Sequence, residues 1–134
     1  MEWKVWWDAE LGVVRLESWG EVEVDRIVEG FREIVELPEW QPGLPILADH
    51  RQLDVAGMGY EDMLQVVEQQ KVLAEITTHS KIATVVGSLA HYGLTRMWTS
   101  MTEGRSTVNH GIFQDWDEGL AWILDETSTV DDAG

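Results

Sequence analysis

Two hydrophobic periods alternate along this chain, and their order limits what it can fold into. Trp3, Val5 and Trp7 alternate with Glu2, Lys4 and Trp6, the period of two expected of a half-buried strand. Residues 8–12 read as a turn and 13–19 as a returning strand, so the chain is expected to open with a hairpin. The period then changes. Val24, Ile27, Val28, Phe31, Ile34 and Val35 share one helical face, Glu23, Arg26, Glu29, Glu33 and Glu36 cover the other, and Pro38 stands just beyond. A short apolar run over 44–48, ending in Asp49, His50 and Arg51, is expected to be a buried strand. Helices are expected over 60–76 and 88–103, the latter closed by Gly104, and strands over 81–86 and 107–113. Asp115 followed by Glu118 fits a capping box for a final helix whose apolar side is Leu120, Ala121, Ile123 and Leu124. This order defines an α/β fold: a mixed sheet of about five strands that opens with an antiparallel hairpin, continues through right-handed crossovers, and is flanked by four helices.

Composition narrows the function classes. At 134 residues the chain is one domain's worth, expected to span 1–125 and to leave an acidic, disordered tail over 126–134. Cysteine is absent, which removes disulfides, thiolate metal sites and cysteine nucleophiles together. No apolar stretch approaches the ~18 residues of a membrane span, and the N-terminus lacks the pattern of a signal peptide, so a cytoplasmic location is expected. The net charge of −16 argues against nucleic acid and anionic bilayers, both of which need a basic footprint.

That charge is uneven. Residues 1–40 hold 11 acidic and 4 basic side chains and residues 115–134 hold 7 and none, whereas 76–114 hold one acidic and three basic. A partner or an anionic ligand is therefore expected to approach the stretch 76–114. The acidity, together with six Arg against three Lys, also hints at a salt-rich habitat, where a Debye length of ~3 Å at molar salt tolerates the repulsion.

Several local motifs stand in an order worth noting: Leu11-Gly12-Val13-Val14 after the first turn, Gly20 closing the second strand, and Pro42-Gly43-Leu44-Pro45-Ile46-Leu47-Ala48-Asp49 at the third. Leu53-Asp54-Val55-Ala56-Gly57-Met58, Tyr92-Gly93-Leu94-Thr95-Arg96-Met97 and Asp117-Glu118-Gly119-Leu120-Ala121-Trp122 follow. In order and spacing the chain resembles the SpoIIAA-like family, bacterial domains related to the STAS fold of anti-sigma-factor antagonists. The resemblance implies a sheet flanked by helices, no cofactor and no assigned reaction. Antagonists of that type switch by phosphorylation of a serine in an Asp-Ser-Ser-Gly turn. Here the matching turn is Asp54-Val55-Ala56-Gly57, and Ala56 has no hydroxyl to accept phosphate. The related CRAL-TRIO lipid-transfer domains imply another use of such a layout, holding an apolar ligand.

Ligands of open α/β sheets sit beyond the carboxyl ends of the parallel strands. The sequence places Asp49, His50 and Arg51, then Ser88, His91 and Tyr92, and finally Gln114 at that edge, a kit sufficient for acid–base chemistry or anion binding. No metal site is expected, since His50, His79, His91 and His110 lack HxH or HExxH spacing, and no glycine elbow surrounds Ser88. Eight Trp are a surplus. Trp6 lies opposite Trp3 and Trp7, so the first strand is either covered on both faces or docks a partner through one ring. Leu94, Met97, Trp98 and Met101 form a helical stripe that reads as core, with Trp98 at a pocket edge or interface.

The expectation is a non-enzymatic STAS-like domain, homodimeric, that binds a small apolar or amphipathic ligand or a protein partner in a regulatory role. Its candidate crevice is Asp49, His50, Arg51, Ser88, His91, Tyr92 and Trp98. Two alternatives stay open: a small hydrolase or isomerase using His50 or His91 with Asp49, and a phosphorylation-independent partner switch around residues 54–59.

Overall fold

The computed structural model of the protein describes residues 1–62, 64–65, 68–69, 80–88, 92–93, 96 and 109–125. Strands β1 (Glu2–Asp8) and β2 (Val13–Glu21) form the expected antiparallel hairpin, with Val5 facing Leu16 and Asp8 facing Val13. Its turn closes because the Asp8 carboxylate accepts the Leu11 amide at 3.1 Å and Gly12 adopts a φ of 72°, a conformation costly for any residue with a Cβ. Helix α1 (Val24–Glu36) follows, then β3 (Ile46–Asp54), β4 (Lys81–Val86) and β5 (Asn109–Phe113), and last helix α2 (Trp116–Leu124). The five strands lie in sequence order, antiparallel between β1 and β2 and parallel thereafter. The mixed α/β sheet is thus as expected. Helical backbone is found at 60–62, 64–65 and 68–69 and again at 92–93 and 96, while the remainder of the two middle helices, Gly104 and the tail 126–134 lie outside the described residues.

Each face of the sheet has its own core. On one, Val14, Leu16, Ile46, Ala48 and Ile82 meet Val28, Phe31 and Ile34 of α1, and the half-buried Trp3, Val5 and Trp7 pack against the same cluster. On the other, Val13, Leu47, Ala83 and Val85 meet Ile123 of α2. Helix α2 begins as its capping box dictates, with the Asp115 carboxylate accepting the Glu118 amide at 3.0 Å. It carries no basic residue in its last turn, and β4 supplies the missing cation. Lys81 Nζ donates to the carbonyls of Trp122 at 3.1 Å and Asp125 at 2.8 Å and lies 4.8 Å from the Trp122 ring. Lys81→Met is therefore expected to lower stability by about 1 kcal/mol. Urea unfolding followed by Trp fluorescence measures this, and an unchanged midpoint would deny the cap.

One expectation needs correction. The third strand does not end near Ala48 but runs to Asp54, because Trp19, Gly20 and Glu21 of β2 pair with Gln52, Leu53 and Asp54. Its polar half is held by that pairing and not by burial. In consequence Asp49, His50 and Arg51 sit within β3, level with the end of β4, instead of at the strand's own end. Trp6, on the face opposite Trp3 and Trp7, is half-buried, with Lys4 Nζ and the Arg15 guanidinium each 4.7 Å from its ring centroid.

Candidate binding site at the carboxyl edge of the sheet

Strands β2 and β3 outrun β4 and β5, so the carboxyl edge is stepped. At the step the ladder slips. Glu17 faces Asp49 but Trp19 faces Gln52, leaving one more residue on β3 than on β2. Such a bulge re-aims side chains. The Arg51 carbonyl is driven against Gly87, where a Cβ built on the glycine would stand 2.4 Å from the oxygen.

Strand alternation divides the expected trio between the two faces. Asp49 lies on the α2 face, beside Val85, and is buried. Arg51 donates from Nε to Asp49 Oδ1 at 2.9 Å and from Nη2 to Oδ2 at 2.8 Å, while its amide donates to Oδ1 at 3.1 Å. Burial works to raise the Asp49 pKa, but the hydrogen bonds and charge of Arg51 outweigh it and hold the carboxyl below its ordinary range. The Arg51 guanidinium lies 5.1 Å from the Trp116 ring, and Arg15 lies 4.5 Å from the same ring. This pair therefore fastens α2 to the sheet. His50 points to the α1 face, where its Nδ1 is 2.5 Å from Ser18 Oγ. Asp49 and His50 thus face opposite sides of the sheet instead of forming a carboxylate–imidazole dyad, and the alternative partner His91 lies outside the described residues.

The other candidates are placed as follows. Ser88 is exposed just beyond β4, and its carbonyl accepts the Tyr92 amide at 2.9 Å; Tyr92 is half-buried on helical backbone. Gln114 is exposed beyond β5. His91 and Trp98 lie outside the described residues. His110, to which no motif assigned a role, sits on the α1 face with Nε2 2.6 Å from Thr84 Oγ1, and burial pushes its pKa down to about 4. Among the described residues, no three His, Asp or Glu side chains are grouped so that they could hold a metal ion.

A defined cleft of about 330 Å³ opens at the outer step, where β2 ends and α1 begins. Val22, Val24 and Met58 line it together with the acidic Glu21, Glu23, Asp25 and Asp62, and its lining is more polar than apolar. Glu23 accepts the Met1 ammonium at 2.9 Å, and that hydrogen bond holds its carboxyl below the ordinary range. Asp62 accepts the Gly59 amide at 2.9 Å. The 54–59 turn forms the far wall, set by Asp54 accepting the Ala56 amide at 2.9 Å. Of these lining residues, Gly57 and Met58 fall in the 54–59 stretch expected for a partner switch, whereas 21–25, Asp62 and Gln65 were missed in the sequence. Their signal was the Glu21-Val22-Glu23-Val24-Asp25 run, which keeps a strand's alternation between a strand and a helix and so offers both side-chain types at one opening.

The fold defined here is shared with a solved structure. A crystal structure at 2.25 Å resolution of an uncharacterised protein of the DUF3478 family from Shewanella loihica PV-4, described as having a SpoIIAA-like fold, superposes with a TM-score of 0.55. Identity is 12%, over 91% of this chain and 92% of that one. No family model matches the chain, and no curated protein does either. The protein is an α/β domain with a SpoIIAA-like fold. Among the described residues no helix is long and apolar enough to cross a membrane.

Proposed function

We propose that this domain is a cytoplasmic binding module, not an enzyme, and that it takes a small cationic amphipathic ligand in the cleft between β2, α1 and the 54–59 turn. The observation that carries the reading is the lining itself. Three apolar side chains lie beside four carboxylates, at the edge where sheets of this kind receive ligands. A ligand with an apolar body and a positive head meets both. The absence of an Asp49–His50 dyad supports binding over acid–base chemistry. The proposal extends to His50, Ser88 and Tyr92 near the end of β4, and on the sequence alone to His91 and Trp98. A second use fits the same surface. The turn that lines the cleft is the one the family resemblance assigns to partner switching, so a partner's basic side chain would compete with the small ligand.

Thermal shift with octylammonium, octanoate, octanol and spermidine tests this directly. Octylammonium is expected to raise the Tm progressively with the logarithm of its concentration, by the equivalent of about 2.7 kcal/mol at a hundredfold excess over Kd. Octanoate, which carries the opposite head, is expected to do nothing. Glu21→Gln combined with Asp25→Asn should abolish the shift. Glu36→Gln combined with Glu39→Gln, which removes the same charge elsewhere, should preserve it. Equal stabilisation by octanoate, or equal loss in both double variants, would contradict the assignment.

A further inference from the structure

Strand β1 is an edge of the sheet, and among the described residues nothing pairs with its outer side. Soluble proteins blunt such edges with charges, prolines or bulges. Here the strand is seven residues long, pairs with β2 without a register shift, contains no proline, and has Lys4 as its sole basic residue. Trp3, Val5, Trp6 and Trp7 are all only half-buried along it. Large apolar side chains on both faces of an open, regular edge are what a strand-addition interface offers.

The charges on β1 select the occupant. In a two-fold antiparallel pairing of β1 with itself, each face stays continuous only if residues of like parity oppose one another, so the axis passes through a residue. Lys4, Val5 and Trp6 are the positions that keep most of the strand paired. An axis at Lys4 sets two ammonium groups against each other, and one at Val5 sets Asp8 against Glu2. An axis at Trp6 sets Lys4 against Asp8 of the second copy twice over, Val5 against Trp7, and Trp6 against itself. Asp8 has the capacity for this contact. Its Oδ2 accepts Arg15 Nη1 at 3.1 Å and its Oδ1 the Leu11 amide at 3.1 Å, which leaves lone pairs on both oxygens.

We propose that two copies of this chain join β1 to β1 about a two-fold axis at Trp6, extending the sheet across the dimer. The interface lies apart from the ligand cleft and does not depend on it. Light scattering on the purified full chain is expected to give twice the 15.2 kDa chain mass. Lys4→Glu, an exposed position, should raise the dimer dissociation constant at least about tenfold, since like charges then face each other at two positions. The chain has no cysteine, so Trp6→Cys creates a single thiol. On mild oxidation it should link to itself rapidly, because directly opposed strand residues stand about 4.5–5.5 Å apart. Val5→Cys, which opposes position 7, should not. A monomer at every concentration overturns the proposal and leaves the edge to a different protein. So does a dimer that survives Lys4→Glu and links no faster at position 6 than at position 5.

Discussion

Gly87→Ala is expected to destabilise the protein by about 2–3 kcal/mol, because it forces a methyl group against backbone. A Cβ at that position would stand 2.4 Å from the Arg51 carbonyl oxygen and 3.2 Å from its carbon. Neither strand can retreat cheaply: β3 is tied to β2 beyond the bulge and to β4 before it. The bulge would have to move, and Arg51 would leave Asp49 and the Trp116 ring with it. Urea unfolding should show the lowered midpoint, with altered Trp fluorescence in the native baseline. Gly59→Ala is the control, since a Cβ there meets nothing within 4 Å. If both variants behave alike, the close approach of β3 and β4 is not as described.

Acid should expose the second large effect. His110 has a folded pKa of about 4, lowered by burial, against about 6.5 in an unfolded chain. Above pH 6.5 the ring is neutral in both states and contributes no pH dependence. As pH falls from 6.5 towards 4, the unfolded chain takes up a proton that the folded protein refuses. Stability is then lost at up to about 1.4 kcal/mol per pH unit, roughly 3 kcal/mol in all. Asp49 acts in a different window. Its folded pKa lies below the ordinary value of 3.8, so its contribution is present above that value and disappears only as pH falls through the folded pKa. Relief of repulsion among the many carboxylates runs the other way, so the informative quantity is a difference between proteins. His110→Gln should flatten the dependence between pH 6.5 and 4 relative to wild type. Parallel curves would mean that the ring is not held neutral.

Much of the fold was legible because the sequence states it locally. The opening hairpin follows from alternation plus a Gly12 turn, α1 from one apolar stripe, and α2 from the Asp115–Glu118 cap, and each forms over nearly the expected residues. The polar half of β3 was not legible. Arg51 to Asp54 carry no strand pattern, and they are extended only because β2 continues alongside them. The site was less legible still, for the same reason. Asp49, His50 and Arg51 are adjacent in sequence, and once this stretch is extended strand alternation sends the first and last to α2 and the middle one to Ser18. The partial burial of His110 beside Thr84 is not encoded in its Asn-His-Gly setting. The cleft was not read from the sequence either, because the alternating acid and valine of 21–25 becomes a concavity only beside the stepped sheet edge.

Backbone amide chemical-shift mapping with octylammonium tests the central claim, a cationic amphipath held at the outer step of the sheet edge. Titrated into the ¹⁵N-labelled protein below its micellar concentration, the probe is expected to shift saturably the amides of 21–25 and of the cleft wall at Gly57, Met58, Asp62 and Gln65. Octanoate should leave them unmoved. Shifts spread evenly over the acidic surface, or clustered anywhere that excludes 21–25, would contradict the account.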